Sequence, residues 1–178
     1  QMDILEVSLL EKKFDIIECG GVLHHMDNPS QGLKSLVGVL SKNGFLKLGL
    51  YSELARQDVV SVRKYISKNK LQSNKDGIRG FRKTIFSGKA PKINSITSRS
   101  DFFTLSSCRD LCFHAQEHRF TIKQIQETLQ SNELDFLGFL LQEPVKSLYK
   151  GYFPEDRTQT NLNNWANFEE RHPNTFKA

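Results

Sequence analysis

The chain has 178 residues, of which 38% are hydrophobic and 13 are phenylalanine, enough to bury the core of one domain. No apolar run approaches the ~18 residues that cross a bilayer and no charged-then-apolar leader opens the sequence, so we expect no membrane partner. Three cysteines without the spacing of a disulfide framework predict reduced thiols and a cytoplasmic protein.

The net charge of +5 is concentrated in one stretch of the chain. Between Arg56 and Lys92, eleven lysine or arginine residues stand against only Asp58 and Asp76, a local balance of +9. Three aromatic residues are interspersed there: Tyr65, Phe81 and Phe86. Their spacing favours helix packing over base stacking, and the charges favour a solvated helical face with a basic loop. RNA phosphates or an acidic protein surface are the alternative partners.

The first part of the chain shows a strand, helix and strand pattern. An apolar run over residues 14–19 stops at paired glycines, which predicts a strand buried on both faces, as in a parallel sheet. Pro29 suits the first turn of a helix, and apolar residues at helical spacing continue it over residues 31–40. Asn43-Gly44 closes that helix or turns out of it, and a second strand follows over residues 45–50. This order predicts parallel strands with a right-handed crossover.

The rest of the chain alternates helical and turn-rich patterns. Helical spacing of apolar residues predicts helices over residues 53–68, 78–86, 106–117 and 162–170. Thr121 is a capping residue ahead of a further helix over residues 122–131. Residues 87–100 contain glycine, proline and five serine or threonine residues, which predicts a loop or mobile lid. Residues 134–141 are a candidate for a third strand.

Four phrases of the sequence carry a family resemblance. Gly21-Val22-Leu23-His24-His25, followed by an acidic residue and a proline, resembles the end of the fourth strand in class I S-adenosylmethionine-dependent methyltransferases. The stretch from Leu40 to Leu50 resembles the phrase that leads into the next strand of that family. Arg109 to Thr121 and Trp165 to Phe176 resemble a bacterial subgroup, some members of which carry tetratricopeptide repeats upstream.

The resemblance implies an α/β fold built on a partial Rossmann-like methyltransferase sheet. Its parallel strands lie near residues 14–19 and 45–50, with a further strand near 134–141 and a helical insertion or lid over residues 52–119. Residues 1–178 then form a single partial methyltransferase domain. The family's Gly-rich loop after its first strand does not occur in this sequence. We therefore expect a C-terminal portion of a longer protein, inactive by itself.

The resemblance also implies S-adenosylmethionine as the cofactor. Gly20 and Gly21 allow close backbone approach to a ligand, and the family places the methionine portion there; a plain tight turn is the alternative. Asp3 and Ile4 resemble the acidic loop that contacts the adenine, although a loop aspartate also serves as a cap or turn residue. Leu23 completes the expected cofactor contacts.

Two histidines are the candidate catalytic residues. His24 and His25 follow the first strand, where an imidazole near neutral pH can take a proton from a methyl acceptor. Alternatively, both histidines hold the loop in place through hydrogen bonds to backbone carbonyls. Tyr51 ends the second strand, so it faces the same crevice as a substrate contact or packs as a wall residue.

Polar residues of the insertion are the candidate substrate contacts: Arg109, His114, Glu117 and His118. Alternatively, Arg109 forms an ion pair with Asp110, and the others pair on a helix surface. His114 and His118 also fit an inverted zinc-protease pattern with Glu117 as base. That chemistry needs a third ligand, and the surrounding phrase resembles the methyltransferases, so no metal is assigned. Cys108 and Cys112 are expected to be small buried side chains rather than a metal pair.

Three functions follow from these patterns. The first is transfer of a methyl group from S-adenosylmethionine to an unidentified acceptor, with a small molecule or a protein expected ahead of RNA. The second is a catalytically silent methyltransferase-like module that binds protein partners, with tetratricopeptide repeats upstream in a longer protein. The third is a zinc hydrolase acting through His114 and His118.

Overall fold

The computed structural model describes residues 2–114 and 116–177. The chain divides into two compact units: the first comprises Gln1–Ala55 and Gln116–Ala178, and the second comprises Arg56–Ala115. The first unit contains two buried hydrophobic clusters and the second contains one. In the described ranges, no helix combines the length and apolar character needed to span a bilayer.

The described residues form two strands and seven α-helices, joined by turns and 3-10 segments. The strands are β1 (Phe14–Gly20) and β2 (Leu40–Gly49). The helices are α1 (Pro29–Val39), α2 (Gln57–Lys68), α3 (Lys75–Phe86), α4 (Leu105–Phe113), α5 (Ile122–Ser131), α6 (Glu143–Tyr152) and α7 (Leu162–Arg171). The 3-10 helices are Ile4–Leu10, Leu23–His25, Pro91–Ser98 and Ser100–Phe103.

The predicted parallel pair of strands is confirmed in the first unit. β1 pairs with β2 in parallel, with Phe14 opposite Leu40 at one end and Gly20 opposite Gly49 at the other. α1 connects the two strands, and Pro29 occupies its first turn as predicted. The two strands therefore end side by side at the same edge of the sheet.

The second strand starts earlier than the sequence indicates. β2 begins at Leu40, directly after α1, rather than at residue 45. A register shift near the start of β1 absorbs the additional residues, and Asn43 takes a left-handed conformation with φ 63°. A Cβ on Gly44 would lie 2.9 Å from the carbonyl oxygen of Ser41. Asn43-Gly44 is thus an irregularity within β2 rather than the end of a helix.

Only one face of the sheet is covered within the described residues. Ile17 and Cys19 pack with residues of α1, whereas the side chains of Ile16 and Phe45 on the opposite face are 74% and 58% exposed. The prediction of a strand buried on both faces is wrong for β1. The apolar residues of a strand do not by themselves show whether another element packs on each face of the sheet.

An aromatic cluster packs the remaining helices of the first unit. The rings of Tyr149 and Trp165 stack with centroids 3.8 Å apart, and Phe168 lies edge-on to Trp165 at 5.6 Å. α5 and α7 lie where the sequence predicts them, and Thr121 caps α5 through a capping box with Gln124. α6 carries Tyr149 into this cluster and was not predicted.

The predicted strand over residues 134–141 is wrong. Those residues carry no strand assignment, and β1 and β2 make up the sheet of the described chain. Phe136 and Phe139 pack against the aromatic cluster, while Leu137 and Leu140 are 69% and 78% exposed. The segment buries apolar side chains as a strand would, but it pairs with no strand of the described chain.

The second unit is helical and has its own core. Ile78 and Phe81 of α3 are almost fully buried, and so are Val59 and Val62 of α2. Inside this unit the guanidinium of Arg99 forms two hydrogen bonds with the carboxylate of Asp58, at 2.8 and 2.9 Å. Arg99 is only 5% exposed, so this pair satisfies a charge that would be costly to bury alone.

Three predictions for the second unit need correction. α2 begins at Gln57 rather than residue 53. Residues 87–100 are not a loose lid, because the 3-10 helix Pro91–Ser98 buries Ile93 and Ile96 in the core. The helix predicted over residues 106–117 ends at Phe113. His114 and His118 therefore do not lie one turn apart on a helix.

Candidate functional site

Two glycines that lie opposite each other, Gly20 in β1 and Gly49 in β2, set the distance between the strands at the carboxyl end of the sheet. A Cβ on Gly49 would lie 3.1 Å from the Cα of Gly20, so the strand ends approach more closely than a larger residue permits. Gly21 follows with φ +74°, a left-handed conformation that favours glycine. The chain thus turns sharply out of β1 immediately beside the end of β2.

The 3-10 turn after β1 buries one histidine of the pair. His24 is 2% exposed, and its ring stacks on the ring of Tyr51 with centroids 3.8 Å apart. The carbonyl oxygen of His24 accepts a hydrogen bond from the backbone N–H of His118 at 2.8 Å. His24 and Tyr51 thus form a packed layer between the loops that follow the two strands, while Leu23, only 3% exposed, belongs to the core.

The second histidine is half-buried and oriented by a backbone carbonyl. His25 Nδ1 lies 3.1 Å from the carbonyl oxygen of Gln116. Because a carbonyl oxygen only accepts, Nδ1 carries the hydrogen and donates it. In the neutral ring the lone pair then lies on Nε2, the nitrogen able to take a proton. This geometry separates the roles of two histidines that the sequence left equivalent.

Gln116 joins three parts of this site. Its Nε2 donates to the carbonyl oxygen of Met26 at 3.3 Å and lies 3.2 Å from His118 Nε2. An amide nitrogen donates, so His118 Nε2 is the acceptor and the proton of its neutral ring lies on Nδ1. The sequence did not single out Gln116, since two of its partners, His25 and Met26, lie about ninety residues away in the chain.

An open pocket lies at the end of β1. Its volume is about 730 Å³, and its walls include Asp3, Ile4 and Gly20. Three carboxylates, those of Asp3, Glu18 and Asp27, line it, and no lysine or arginine does. Glu18 also pairs with Lys47 at 2.6 Å. The lining suits a ligand with apolar area and positive charge.

Asp3 has a structural role as well as a place in the pocket. Its Oδ1 accepts a hydrogen bond from the backbone N–H of Leu5 at 2.9 Å and caps the 3-10 helix Ile4–Leu10. This is the capping role that the sequence left open for a loop aspartate. A cap and a ligand contact use different lone pairs of one carboxylate, so the two roles are compatible.

The remaining candidate substrate residues lie in two different units. Glu117 and His118 belong to the first unit, where the side chain of Glu117 is 1% exposed and lies 3.9 Å from Arg119. Arg109 and His114 belong to the second, where Arg109 Nε donates to the carbonyl oxygen of Ser73 at 3.1 Å. Their roles as substrate contacts stay predictions.

No group of three metal-binding side chains supports the zinc pattern in the described part of the chain. Phe113 ends its helix, and Phe120 instead forms a parallel bridge with Ser52. The protease pattern requires both histidines on one helical face, and this backbone does not provide it.

A buried hydrogen-bonded pair beside Tyr51, Ser52 and Glu169, was also not predicted from the sequence. Ser52 Oγ donates to Glu169 Oε1 and accepts from the backbone N–H of Ala55 at 2.9 Å. Glu169 is 3% exposed, and burial raises its pKa while the hydrogen bond from Ser52 opposes that rise. The two residues are 117 positions apart, so no local pattern in the sequence relates them.

Comparison with known proteins gives these features a family context. A family model described as a methyltransferase domain matches residues 1–48 of this chain. The chain is similar there to a methyltransferase. The match covers β1, α1 and nearly all of β2, and with them Asp3, Ile4, the paired glycines and both histidines. The match supports a likeness of this region to the class I methyltransferases. Members of that family generally use S-adenosylmethionine.

A relative extends the similarity beyond the methyltransferase match. An uncharacterized protein of Synechococcus sp. is 30% identical over 148 residues, which cover 78% of this chain and 35% of that protein. The chain therefore spans about a third of the relative's length.

Proposed function

We propose that this chain is the C-terminal part of an S-adenosylmethionine-dependent methyltransferase that acts on an unidentified acceptor. The observation that carries the proposal is the pair of parallel strands that end together at Gly20 and Gly49, in a region similar to methyltransferase domains. Ligands of open α/β sheets bind outside the carboxyl ends of such strands.

The pocket beside β1 fits the cofactor chemically. S-adenosylmethionine, when bound, supplies a methyl group activated on a positively charged sulfur. Gly20 in the lining and Gly21 directly after it would allow its approach to the backbone, Ile4 would contact its apolar area, and Asp3 would accept its polar hydrogens. The described lining carries three carboxylates and neither lysine nor arginine, and with Glu18 paired to Lys47 the carboxylates of Asp3 and Asp27 still favour a cation.

His25 is the proposed general base. Its Nδ1 donates to the Gln116 carbonyl, which fixes the ring, and Nε2 is the nitrogen proposed to take the proton that the acceptor loses. Gln116 and His118 hold the neighbouring turn, and Tyr51 stacked on His24 forms a wall. Alignment of the acceptor against these fixed groups supplies much of the acceleration in a displacement reaction.

The acceptor classes to test first are a small molecule and a protein side chain. The polar residues proposed to contact it are Tyr51, Arg109, His114, Glu117 and His118. A tetratricopeptide-repeat region upstream in a longer protein remains part of the proposal.

Gly20→Val tests cofactor binding in the full-length protein. A Cβ at Gly20 meets no atom within 4 Å in the fold, so a side chain can leave the backbone there, and the bulk of valine should close the ligand approach. We expect calorimetric affinity for S-adenosylhomocysteine to fall at least tenfold, about 1.4 kcal/mol. Gly38→Ala is the matched control, since a Cβ there also meets no atom within 4 Å.

Two results would contradict the proposal. Wild-type protein that does not bind S-adenosylhomocysteine at millimolar concentration would favour the catalytically silent module. Equal affinities for wild type and Gly20→Val would place the cofactor elsewhere.

A further inference from the structure

The second unit carries the net positive charge of the chain. Residues 56–115 contain 13 lysine or arginine residues and four aspartate or glutamate residues, a balance of +9, whereas the whole chain has +5. The rest of the chain is therefore net negative. A charge imbalance of this size within 60 residues attracts polyanions to the second unit.

The outer face of α3 presents part of this charge as a stripe. Lys75, Arg79 and Lys83 follow one another at four-residue intervals and are exposed, whereas Ile78 and Phe81 on the opposite side are buried. Residues four apart lie on one side of a helix. In the described residues, none of the three cations has an acidic partner within salt-bridge distance.

The stripe continues into a pair of exposed aromatic rings. Phe86, three residues after Lys83, is 58% exposed, and Phe103 is 51% exposed. Their ring centroids lie 6.2 Å apart. The sequence predicted that the aromatic residues of this stretch pack inside. Phe81 does so, but Phe86 presents its ring to solvent.

The exposed rings are held in place from beneath. Fully buried Phe102 contacts Phe86 and Phe103 edge-on, with centroids 5.5 and 5.8 Å away. Arg82 Nη2 donates to the carbonyl oxygen of Phe103 at 2.7 Å, and its guanidinium lies 5.9 Å from the Phe102 ring. A ring supported in this way loses little conformational entropy when a ligand stacks on it.

The combination fits one ligand chemistry better than others. Cations that neutralise phosphates next to aromatic rings that stack on bases are the two components of single-stranded nucleic acid binding. A membrane would need a broad apolar helix face at the surface, but the apolar face of α3 is buried in the core of its own unit.

We propose that the α3 face, defined as Lys75, Arg79, Lys83, Phe86 and Phe103, binds single-stranded nucleic acid. The three cations contact phosphates and the two rings stack on bases. Contacts of this kind do not depend on base sequence. The proposal stands independently of methyl transfer.

Fluorescence anisotropy with the 178-residue chain tests the proposal. The probes are fluorescent oligo(U) RNA and oligo(dT) of about 16 nucleotides, the upper site size of a single binding fold. We expect saturable binding that weakens as salt rises, with a log–log slope of about −2 for three phosphate contacts. The variant K75E/R79E/K83E should lose at least tenfold in affinity and most of that slope.

A charge-matched control separates this face from bulk charge. K12E/K42E/K123E changes the net charge by the same amount at three exposed lysines of the first unit. It should weaken binding much less than the α3 variant. Phe86→Ala should weaken binding roughly tenfold and leave the salt slope unchanged, because stacking releases no counterions. Circular dichroism confirms that each variant is folded.

Several outcomes would overturn the proposal. These are no binding of either oligonucleotide at low salt, equal losses in the two triple variants, or no effect of Phe86→Ala. Binding to vesicles rich in anionic lipid without binding to oligonucleotides would assign the face to a membrane surface instead.

Discussion

At the residue scale, two adjacent histidines acquire different surroundings from the backbone turn that carries them. His24 is buried under Tyr51, whereas His25 is half-buried and donates from Nδ1 to the Gln116 carbonyl. The residue types are identical, so only their surroundings differ. The structure therefore makes His25 the better candidate for a base.

His25→Asn tests this assignment in the full-length protein. The asparagine amide can still donate to the Gln116 carbonyl, but it cannot take a proton. We expect the rate of methyl transfer to fall about 10²- to 10⁴-fold. The measurement is release of S-adenosylhomocysteine with a fractionated cell extract as the source of acceptor.

Cofactor affinity serves as the control for that variant. Calorimetry with S-adenosylhomocysteine should give the wild-type value, because His25 is assigned to the acceptor's proton and not to the cofactor. A variant with an unchanged rate would show that the acceptor loses its proton to another group or to water.

At the element scale, a buried hydrogen bond ties the end of β2 to α7. Ser52 directly follows Tyr51, and Glu169 lies in the last turns of α7. The carboxyl of Glu169 is desolvated, and burial raises its pKa above the ordinary value of 4.5. The charged form is therefore less favourable in the fold than in the unfolded chain.

Glu169→Gln should change how stability depends on pH. With the folded pKa raised, the wild type gains stability from this group below about pH 4.5 and loses it as pH rises through the folded pKa. The glutamine oxygen still accepts from Ser52, so the variant should lose that pH dependence. Near pH 7 it should be as stable as the wild type or more stable by about 1 kcal/mol.

Urea unfolding across a pH series measures this effect. Glu170→Gln is the control, because Glu170 is the exposed neighbour on the same helix and its replacement should stay within about 0.5 kcal/mol. Ser52→Ala, which leaves the buried carboxyl without its donor, should cost about 1–3 kcal/mol. Parallel pH profiles for wild type and Glu169→Gln would contradict the predicted role of burial.

At the scale of the whole molecule, surface properties are uneven between and within the two units. The second unit concentrates positive charge, and the first exposes Ile16 and Phe45 on the uncovered face of its two-stranded sheet, next to the Glu18–Lys47 ion pair. Ile16 lies opposite Phe45 in the register, so two exposed apolar side chains are neighbours there. Exposed apolar strands with open edges promote association.

The 178-residue chain should therefore self-associate, and Ile16→Lys should reduce this. Sedimentation velocity over a concentration series measures the effect, with an expected shift towards monomer in the variant. Leu140→Lys is the control, since Leu140 is 78% exposed but lies outside the sheet. A wild-type chain that stays monomeric throughout the series, or equal effects of both variants, would show that this face does not mediate association.

Local pattern sufficed to predict most elements of this protein. The spacing of apolar residues predicted the βαβ unit, α5 and α7. Pro29 and Thr121 predicted the starts of α1 and α5, because the first turn of a helix has backbone N–H groups without helical partners, which suits proline and capping residues. The predicted third strand is wrong, and α6 was not predicted. Residues 134–141 have the composition of a strand, but a strand also needs a partner, which lies beyond any local pattern.

The sequence by itself determined that two strands run in parallel, that the first ends at glycines, and that histidines follow it. Only the tertiary structure decided which histidine donates to the Gln116 carbonyl, that Ser52 meets Glu169, and that Phe86 presents its ring to solvent. Local spacing fixes periodicity and turns over a few residues. Contacts between residues many tens of positions apart depend on how whole elements pack, and hydrogen bonding and burial follow from that packing.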